Sequence, residues 1–133
     1  MVYWIDKSEI DVTYDTSDKR ETKVHEERHV EITKEHWEYA RQEINWLEKK
    51  WCHPCDDLAI SFGSASLRYW QQIAMIRNSE FDVSAYTEDP ELTQKDVNEA
   101  LAKLAERKGA LPAIETAYRA AVAAFKAAGC FKK

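Results

Sequence analysis

Hydrophobic residues recur along much of the chain at the three- and four-residue spacing of an amphipathic helix. Between Glu21 and Trp51 nothing interrupts this pattern. The sequence CHPC at 52–55 ends it, because the residue before a proline is disfavoured in the helical region. The pattern therefore predicts a long first helix. The residues of its apolar stripe are Val30, Trp37, Ile44, Leu47 and Trp51.

A second helical pattern covers residues 56–78, with apolar positions that fall roughly on one side. The stretch over 79–91 is rich in polar residues and contains Pro90, so we predict a loop there. The short turn at 52–55 favours an antiparallel arrangement of the first two helices. We therefore expect a long antiparallel helical hairpin followed by a loop.

Two further helices are predicted after the loop. Thr93 and Asp96 have the spacing of a capping box, so a third helix is expected to begin there. Gly109 is a residue type that commonly follows the last turn of a helix, and we expect it to end the third one. A fourth, alanine-rich helix is predicted from Pro112 to Ala128, which makes a C-terminal helix pair.

The N-terminal residues follow a different pattern. Ile10, Val12 and Tyr14 alternate with polar residues in the period of two that a half-buried strand shows. The predicted fold class is mainly α, or α+β when this small N-terminal strand region is counted. We expect a single domain over 1–133, whose parts are an extended segment (1–20), the helical hairpin with its loop (21–91) and the C-terminal helix pair (92–133).

Composition narrows the class of protein. Hydrophobic residues make up 44% of the 133 residues, which is enough for a core at this length and argues against disorder. Nineteen basic and 24 acidic residues give a net charge of −5, so nucleic acid is not expected as a partner. No apolar run has the length of a membrane span, and the first residues, MVYWID, do not resemble a signal peptide. The compartment stays open.

The most informative segment is HEERH at 25–29, which has the form HExxH. Its two histidines are four residues apart, so on a helix both imidazoles lie on one face and can bind one Zn²⁺ ion. Glu26 lies between them, where its carboxylate can take a proton from a zinc-bound water. We therefore predict His25 and His29 as zinc ligands and Glu26 as the general base. The alternative is a solvated charged helix face, since the surrounding sequence is dense in Glu, Lys and Arg.

A zinc site needs a third protein ligand. His36 is unsuitable, because on an unbroken helix it lies about 10 Å along the axis from His29. In the antiparallel hairpin, residues near 78–82 lie level with the HExxH motif. We predict Asp82 as the third ligand, with Glu80 as the runner-up. Tyr86 could supply a hydroxyl that stabilises a developing oxyanion.

These features together resemble a bacterial family of zincin-type proteins of unknown function. The similarity covers about residues 22–90 and rests on the HExxH segment, the long helix, the cysteine, the second helix and the later segment EFDVSAYT at 80–87. The family's Asp-x-x-Thr-x-His-Gly ending is not reproduced, since VSAYTE follows Asp82. The resemblance implies a small zinc-dependent peptidase, often exported.

The three cysteines Cys52, Cys55 and Cys130 allow at most one intrachain disulfide. WCHPC at 51–55 differs by one residue from the thioredoxin active-site sequence, which would imply redox chemistry. However, the sequence before it predicts a charged amphipathic helix and not a buried strand. A structural disulfide is therefore favoured, either within the turn or from the turn to Cys130.

The leading functional prediction is a zinc-dependent metallopeptidase with one zinc ion and a peptide or protein as its substrate. The alternative is a non-catalytic helical interaction or assembly protein, such as a virion or accessory component or an inhibitor. In that case the HExxH segment would be vestigial or structural. An enzyme should keep an open coordination position, whereas a structural zinc site is closed by four protein ligands.

Overall fold

The computed structural model describes residues 23–50 and 55–129. Within these ranges the chain forms three helices, α1 (Lys23–Lys50), α2 (Asp56–Glu88) and α3 (Gln94–Ala127), and no strand. This result confirms the mainly α prediction. The predicted N-terminal strand region lies outside the described residues. The three helices contain no stretch, among the described residues, with the length and hydropathy of a transmembrane segment.

The helices run alternately up and down, with α2 in contact with both α1 and α3. Residues early in α1 contact residues late in α2, as His25 and Asp82 do. Likewise Phe62, early in α2, packs against Phe125 near the end of α3. Both pairs of neighbouring helices are therefore antiparallel, as the sequence predicts for the first pair.

The best-buried part of the core lies near the connection between α1 and α2. It consists of Leu47, Ala59, Phe62 and Phe125, of which none is more than 3% exposed. The rings of Phe62 and Phe125 meet edge to face, with 5.6 Å between their centroids. Because one residue from each of α1 and α3 contacts α2 here, this cluster holds all three helices together.

The helix α2 extends to Glu88, so the prediction of a loop over 79–91 is wrong for residues 79–88. No glycine or proline occurs between residues 79 and 88, and Ser79 is buried on the inner face of the helix. The helix ends only where Pro90 drives the preceding residue, Asp89, into an extended conformation. Asp82 therefore lies on a helix and not in a loop.

The two predicted C-terminal helices are one continuous helix, α3, so the prediction of a break at Gly109 is also wrong. The helix passes through both Gly109 and Pro112. On either side of these residues α3 buries Ala100 and Ile114. Tertiary packing against α2 on both sides outweighs the low helix propensity of glycine and proline.

The predicted capping box at the start of α3 is confirmed. The Thr93 hydroxyl accepts a hydrogen bond from the Asp96 backbone N–H, and the Asp96 carboxylate accepts one from the Thr93 backbone N–H at 2.9 Å. At the other end, Gly129 adopts φ +68°, in the left-handed region that glycine tolerates best. The two ends of α3 thus agree with the sequence signals for helix capping, whereas its middle continues through residues that usually end a helix.

Candidate metal centre

The two histidines of the HExxH segment lie side by side near the start of α1. Their spacing of four residues places both rings on one face of the helix. The Nε2 atoms of His25 and His29 are 3.1 Å apart, and the rings meet edge to face with 4.7 Å between centroids. His25 is buried and His29 is half-buried. Both imidazoles therefore direct the same nitrogen towards one point.

Asp82, on α2, brings a carboxylate to that point. Its Oδ1 atom lies 2.6 Å from Nε2 of His25 and 2.6 Å from Nε2 of His29. The three side chains form a group of potential metal-ligating atoms that all lie within 4.8 Å of one another. The structure thus brings together the three side chains that the sequence analysis selected.

The distances between Nε2 of His25, Nε2 of His29 and Oδ1 of Asp82 can be compared with the distances between ligand atoms in a zinc site. Ligand atoms at 2.0–2.1 Å from a tetrahedral zinc ion are about 3.3 Å apart. The Nε2–Nε2 distance of 3.1 Å is close to this value, whereas the two N–O distances of 2.6 Å are those of short hydrogen bonds. An ion held by His25, His29 and Asp82 would take the place of the protons that these side chains share. The donor types suit zinc, and the Nε2–Nε2 distance, but neither of the N–O distances, is close to the zinc spacing.

A chain of hydrogen bonds behind His29 fixes the direction of its ring. The Thr33 hydroxyl donates to the backbone carbonyl of His29 at 2.9 Å and accepts from the amide nitrogen of Asn78 at 3.1 Å. The Asn78 amide oxygen therefore faces His29 and accepts a hydrogen bond from Nδ1 at 2.8 Å. Since Nδ1 carries the proton, Nε2 is the nitrogen available to a metal ion.

The contact between His29 and Asp82 shifts the pKa values of the two side chains in opposite directions. Burial alone would raise the pKa of Asp82, but hydrogen bonds and charge interactions with His25 and His29 lower it to about 2. Burial alone would lower the pKa of His29, but hydrogen bonds from its ring to Asp82 and Asn78 and the charges of Asp82 and Glu26 raise it. The raised pKa of His29 favours the protonated ring, and a metal ion that binds its Nε2 would have to displace that proton.

Two aromatic residues of α2 pack against the histidines. The Phe81 ring stacks on His25 at 4.6 Å between centroids and meets His29 edge to face at 5.5 Å. The Tyr86 ring, predicted as an oxyanion donor, lies nearly parallel to His25 with 5.6 Å between centroids. Apolar rings around the imidazoles limit their rotation and partly exclude water from the ligand atoms.

A cleft of about 470 Å³ opens beside the cluster. Glu26, His29, Asp82 and Tyr86 line it from α1 and α2. The wall opposite belongs to α3 and includes Glu99, Ala100, Lys103 and Arg107. The Arg107 guanidinium is anchored, because it donates hydrogen bonds to the Met75 carbonyl at 2.9 Å and the Ser79 hydroxyl at 2.7 Å. The predicted base therefore shares one cleft with two of the predicted ligands.

Two other residues weighed in the sequence analysis lie elsewhere. Glu80, the runner-up ligand, is half of an exposed ion pair with Arg77 at 3.2 Å and does not join the cluster. His36 is buried, and its Nδ1 donates a hydrogen bond to the backbone carbonyl of Ile32 at 2.8 Å. It is therefore a buried helix residue whose Nδ1 has a hydrogen-bond partner.

Of the cysteines, only Cys55 falls within the described residues. It is disulfide-bonded, and it packs against the core cluster around Leu47. Cys52 and Cys130 lie outside the described ranges, so the choice between the two predicted pairings stays open. In either pairing the disulfide lies at the end of the α1–α2 hairpin opposite the histidines.

The sequence analysis did not predict roles for Thr33 and Asn78 or for the residues of α3 that line the cleft. Asn78 and Asp82 repeat on α2 the four-residue spacing that His25, His29 and Thr33 have on α1. Polar residues that recur every four positions lie on one face of a helix. When two neighbouring antiparallel helices both show this spacing, their polar faces can meet, so the pattern could have predicted the contact. The α3 side of the cleft carries no comparable motif.

Comparison of this chain with models of protein families, with curated proteins and with solved structures finds no match.

Proposed function

We propose that the protein is a zinc-dependent hydrolase in which His25, His29 and Asp82 hold the ion. One observation carries the proposal. Three side chains from two helices converge within hydrogen-bonding distance, beside a cleft that also contains Glu26. Two imidazole nitrogens and one carboxylate form a donor set found in catalytic zinc sites, where the fourth position is left to water or substrate. When bound, zinc would lower the pKa of a water molecule towards 7 and polarise a substrate carbonyl.

The protein's own residues would perform the remaining steps. Glu26 and His29 both line the cleft, which supports a role for the Glu26 carboxylate in accepting a proton from the attacking water. The same group would then donate that proton to the leaving group. Asn78 keeps the His29 ring in the orientation that presents Nε2. Tyr86 lines the same cleft and would donate a hydrogen bond to the developing oxyanion.

The proposed substrate is a peptide bond. This choice rests on the HExxH pattern, whose combination of zinc-bound water and glutamate base is suited to amide hydrolysis. A volume of about 470 Å³ accommodates a few residues of a peptide and not a folded domain.

The proposal can be tested on untagged protein by elemental analysis and by cleavage of a fluorogenic peptide library. We expect about one zinc per chain, and loss of that zinc in His29→Ala. Glu26→Gln should keep the zinc and lower kcat by about 100-fold or more. Glu27→Gln is the matched control, because Glu27 is the next residue on α1 and is exposed. The proposal is wrong if zinc does not bind after reconstitution, or if Glu26→Gln retains full activity.

A second candidate is a non-catalytic helical interaction protein. The observation in its favour is that the Asp82 carboxylate on α2 already accepts hydrogen bonds from His25 and His29 on α1. In this case the cluster would be a structural connection within a charged helix face. The same elemental analysis separates the two candidates, because this one predicts that wild type and His29→Ala contain equally little zinc.

A further inference from the structure

A second cleft, of about 450 Å³, lies between the three helices and shares no lining residue with the metal-site cleft. Its walls are mainly aromatic. Five rings and one carboxylate define it, and we call it the aromatic cleft: Tyr39, Trp46, Phe62, Trp70, Tyr118 and Glu43. The candidate hydrolase activity makes no use of any of these residues.

The carboxylate of Glu43 is held in place by neutral donors from two helices. Oε1 accepts hydrogen bonds from the Trp70 indole at 2.8 Å and the Tyr118 hydroxyl at 2.6 Å, and Oε2 accepts one from the Ser66 hydroxyl at 2.8 Å. Burial and the adjacent Glu43 raise the pKa of Tyr118, so this phenol keeps its proton and remains a donor. Glu43 forms no ion pair with any residue in the described part of the chain. Its negative charge is therefore fixed in position by neutral donors, and Lys126 is a cation that lines the same cleft without forming an ion pair with it.

The rings around this carboxylate are arranged in pairs. Tyr39 and Trp70 lie 5.1 Å apart by their centroids, and Trp46 and Phe62 lie 6.0 Å apart. The faces of such rings carry negative electrostatic potential and attract cations. The chain itself demonstrates this attraction, because the Lys126 ammonium lies 5.8 Å from the centre of the Trp46 ring at the edge of the cleft.

We propose that the aromatic cleft binds a small organic cation of the alkylammonium class. Electron-rich rings together with one carboxylate that forms no ion pair are a combination that recognises quaternary and methylated ammonium groups. A metal ion fits less well, because a single carboxylate whose oxygens already accept three hydrogen bonds offers few ligands. A neutral apolar ligand would leave the Glu43 carboxylate without an ion pair in a less hydrated surrounding.

The test is calorimetric titration of the full chain with choline and with 3,3-dimethylbutan-1-ol, its neutral isostere. We expect choline to bind about tenfold more tightly than the alcohol, which corresponds to about 1.4 kcal/mol. Equal affinity for the two compounds, or no binding of either, would overturn the proposal. A peptide that carries trimethyllysine should bind as well, and its affinity relative to that of choline tells whether the cation belongs to a protein side chain or to a free molecule.

Variants make the test specific to this cleft. Trp46→Ala and Glu43→Gln should each weaken choline binding by about tenfold. Glu43 joins three helices, so Glu43→Gln is interpreted only where its circular dichroism matches that of the wild type.

Lys126→Gln is not expected to disturb the fold, because the Lys126 side chain is exposed. It removes a competing ammonium, and we expect choline to bind more tightly by about threefold. An unchanged affinity in Lys126→Gln would contradict the proposed position. His29→Ala should leave choline binding unchanged, so failure of the zinc proposal does not affect this one.

Discussion

The Oδ1 atom of Asp82 lies 2.6 Å from Nε2 of His25, although the two residues are 57 positions apart in the chain. This contact fixes the register of α1 against α2 at the end of the hairpin that is remote from the turn. It also places a carboxylate opposite an HExxH segment, which is the relationship from which the proposed zinc site follows.

The Asp82 carboxylate is expected to be essential for metal binding. Asp82→Asn keeps the shape of the side chain but removes the charge, and we expect zinc affinity to fall by about 100-fold or more, since even residues behind the ligands contribute 10–100-fold. Competition with a fluorescent zinc chelator measures the change. Glu80→Gln is the control, because Glu80 is on the same helix and faces Arg77 in an exposed ion pair. Equal losses in the two variants would argue against a ligand role for Asp82.

Asn78 should affect zinc affinity without touching the ion. Asn78→Ala removes the acceptor for Nδ1 of His29, so the ring is free to rotate and to change tautomer. We expect zinc to bind about 10–100-fold more weakly, with the stoichiometry unchanged. Asn98→Ala, an exposed asparagine on α3, is the matched control and should bind zinc as the wild type does. If both variants bind as the wild type does, the orienting role assigned to Asn78 is wrong.

The stability of the metal-free protein should depend on pH in two opposite ways. The pKa of Asp82 is lowered to about 2 on folding, so its contribution is present above the unfolded value of 3.8 and is lost as pH falls towards 2. The difference corresponds to about 2 kcal/mol. The pKa of His29 is raised above 6.5, so its contribution is present below 6.5 and is lost as pH rises through the folded value.

These two groups together predict that the free energy of unfolding has a maximum between about pH 4 and pH 6.5. Urea denaturation of chelator-treated protein at a series of pH values measures the curve. In Asp82→Asn the free energy of unfolding should depend less on pH on both the acidic and the basic side of the maximum. The substitution removes the Asp82 carboxylate, which is also the partner that raises the pKa of His29. A curve of unchanged shape in this variant would assign the pH dependence to other groups.

The two described glycines near or in α3 should respond to alanine in opposite directions. Gly109 lies inside the helix, and a Cβ atom there would meet nothing within 4 Å. We therefore expect Gly109→Ala to stabilise the protein by about 0.5–1 kcal/mol. Gly129 has φ +68°, so Gly129→Ala should cost about 1 kcal/mol. The melting temperatures of the two variants, compared with that of the wild type, measure these effects. A lower melting temperature for Gly109→Ala would mean that the middle of α3 is not regular helix.

The cluster of His25, His29 and Asp82 could be anticipated because its arrangement follows from helix geometry. The spacing of His25 and His29 places them on one face, and an antiparallel hairpin brings Asp82 level with them. The extent of α2 and α3 could not be anticipated in the same way. Gly109 and Pro112 are local signals for a break, but the burial of Ala100 and Ile114 against α2 depends on contacts that only the folded chain makes.

The α3 side of the cleft was invisible to sequence reasoning for a related reason. Lys103 and Arg107 look like ordinary solvated residues of an amphipathic helix. They reach the cleft only because α3 is unbroken and antiparallel to α2. A sequence prediction that ends a helix at Gly109 therefore also fails to predict that α3 forms one wall of the cleft. The HExxH pattern locates ligands on one helix, whereas a cleft requires the arrangement of all three.

The distance between the connecting turn and the metal centre has a mechanical consequence. His29 is about 30 Å along α1 from Lys50, since each residue of a helix adds 1.5 Å. A change of about 5° in the angle between α1 and α2, with its pivot at the turn, would move Asp82 by about 3 Å relative to the histidines. Ligand distances tolerate only about 0.2 Å. If the proposed zinc site is correct, zinc affinity should respond strongly to the interhelical angle. A cavity made at Phe125, in the core cluster near the other end of the hairpin, should then weaken metal binding.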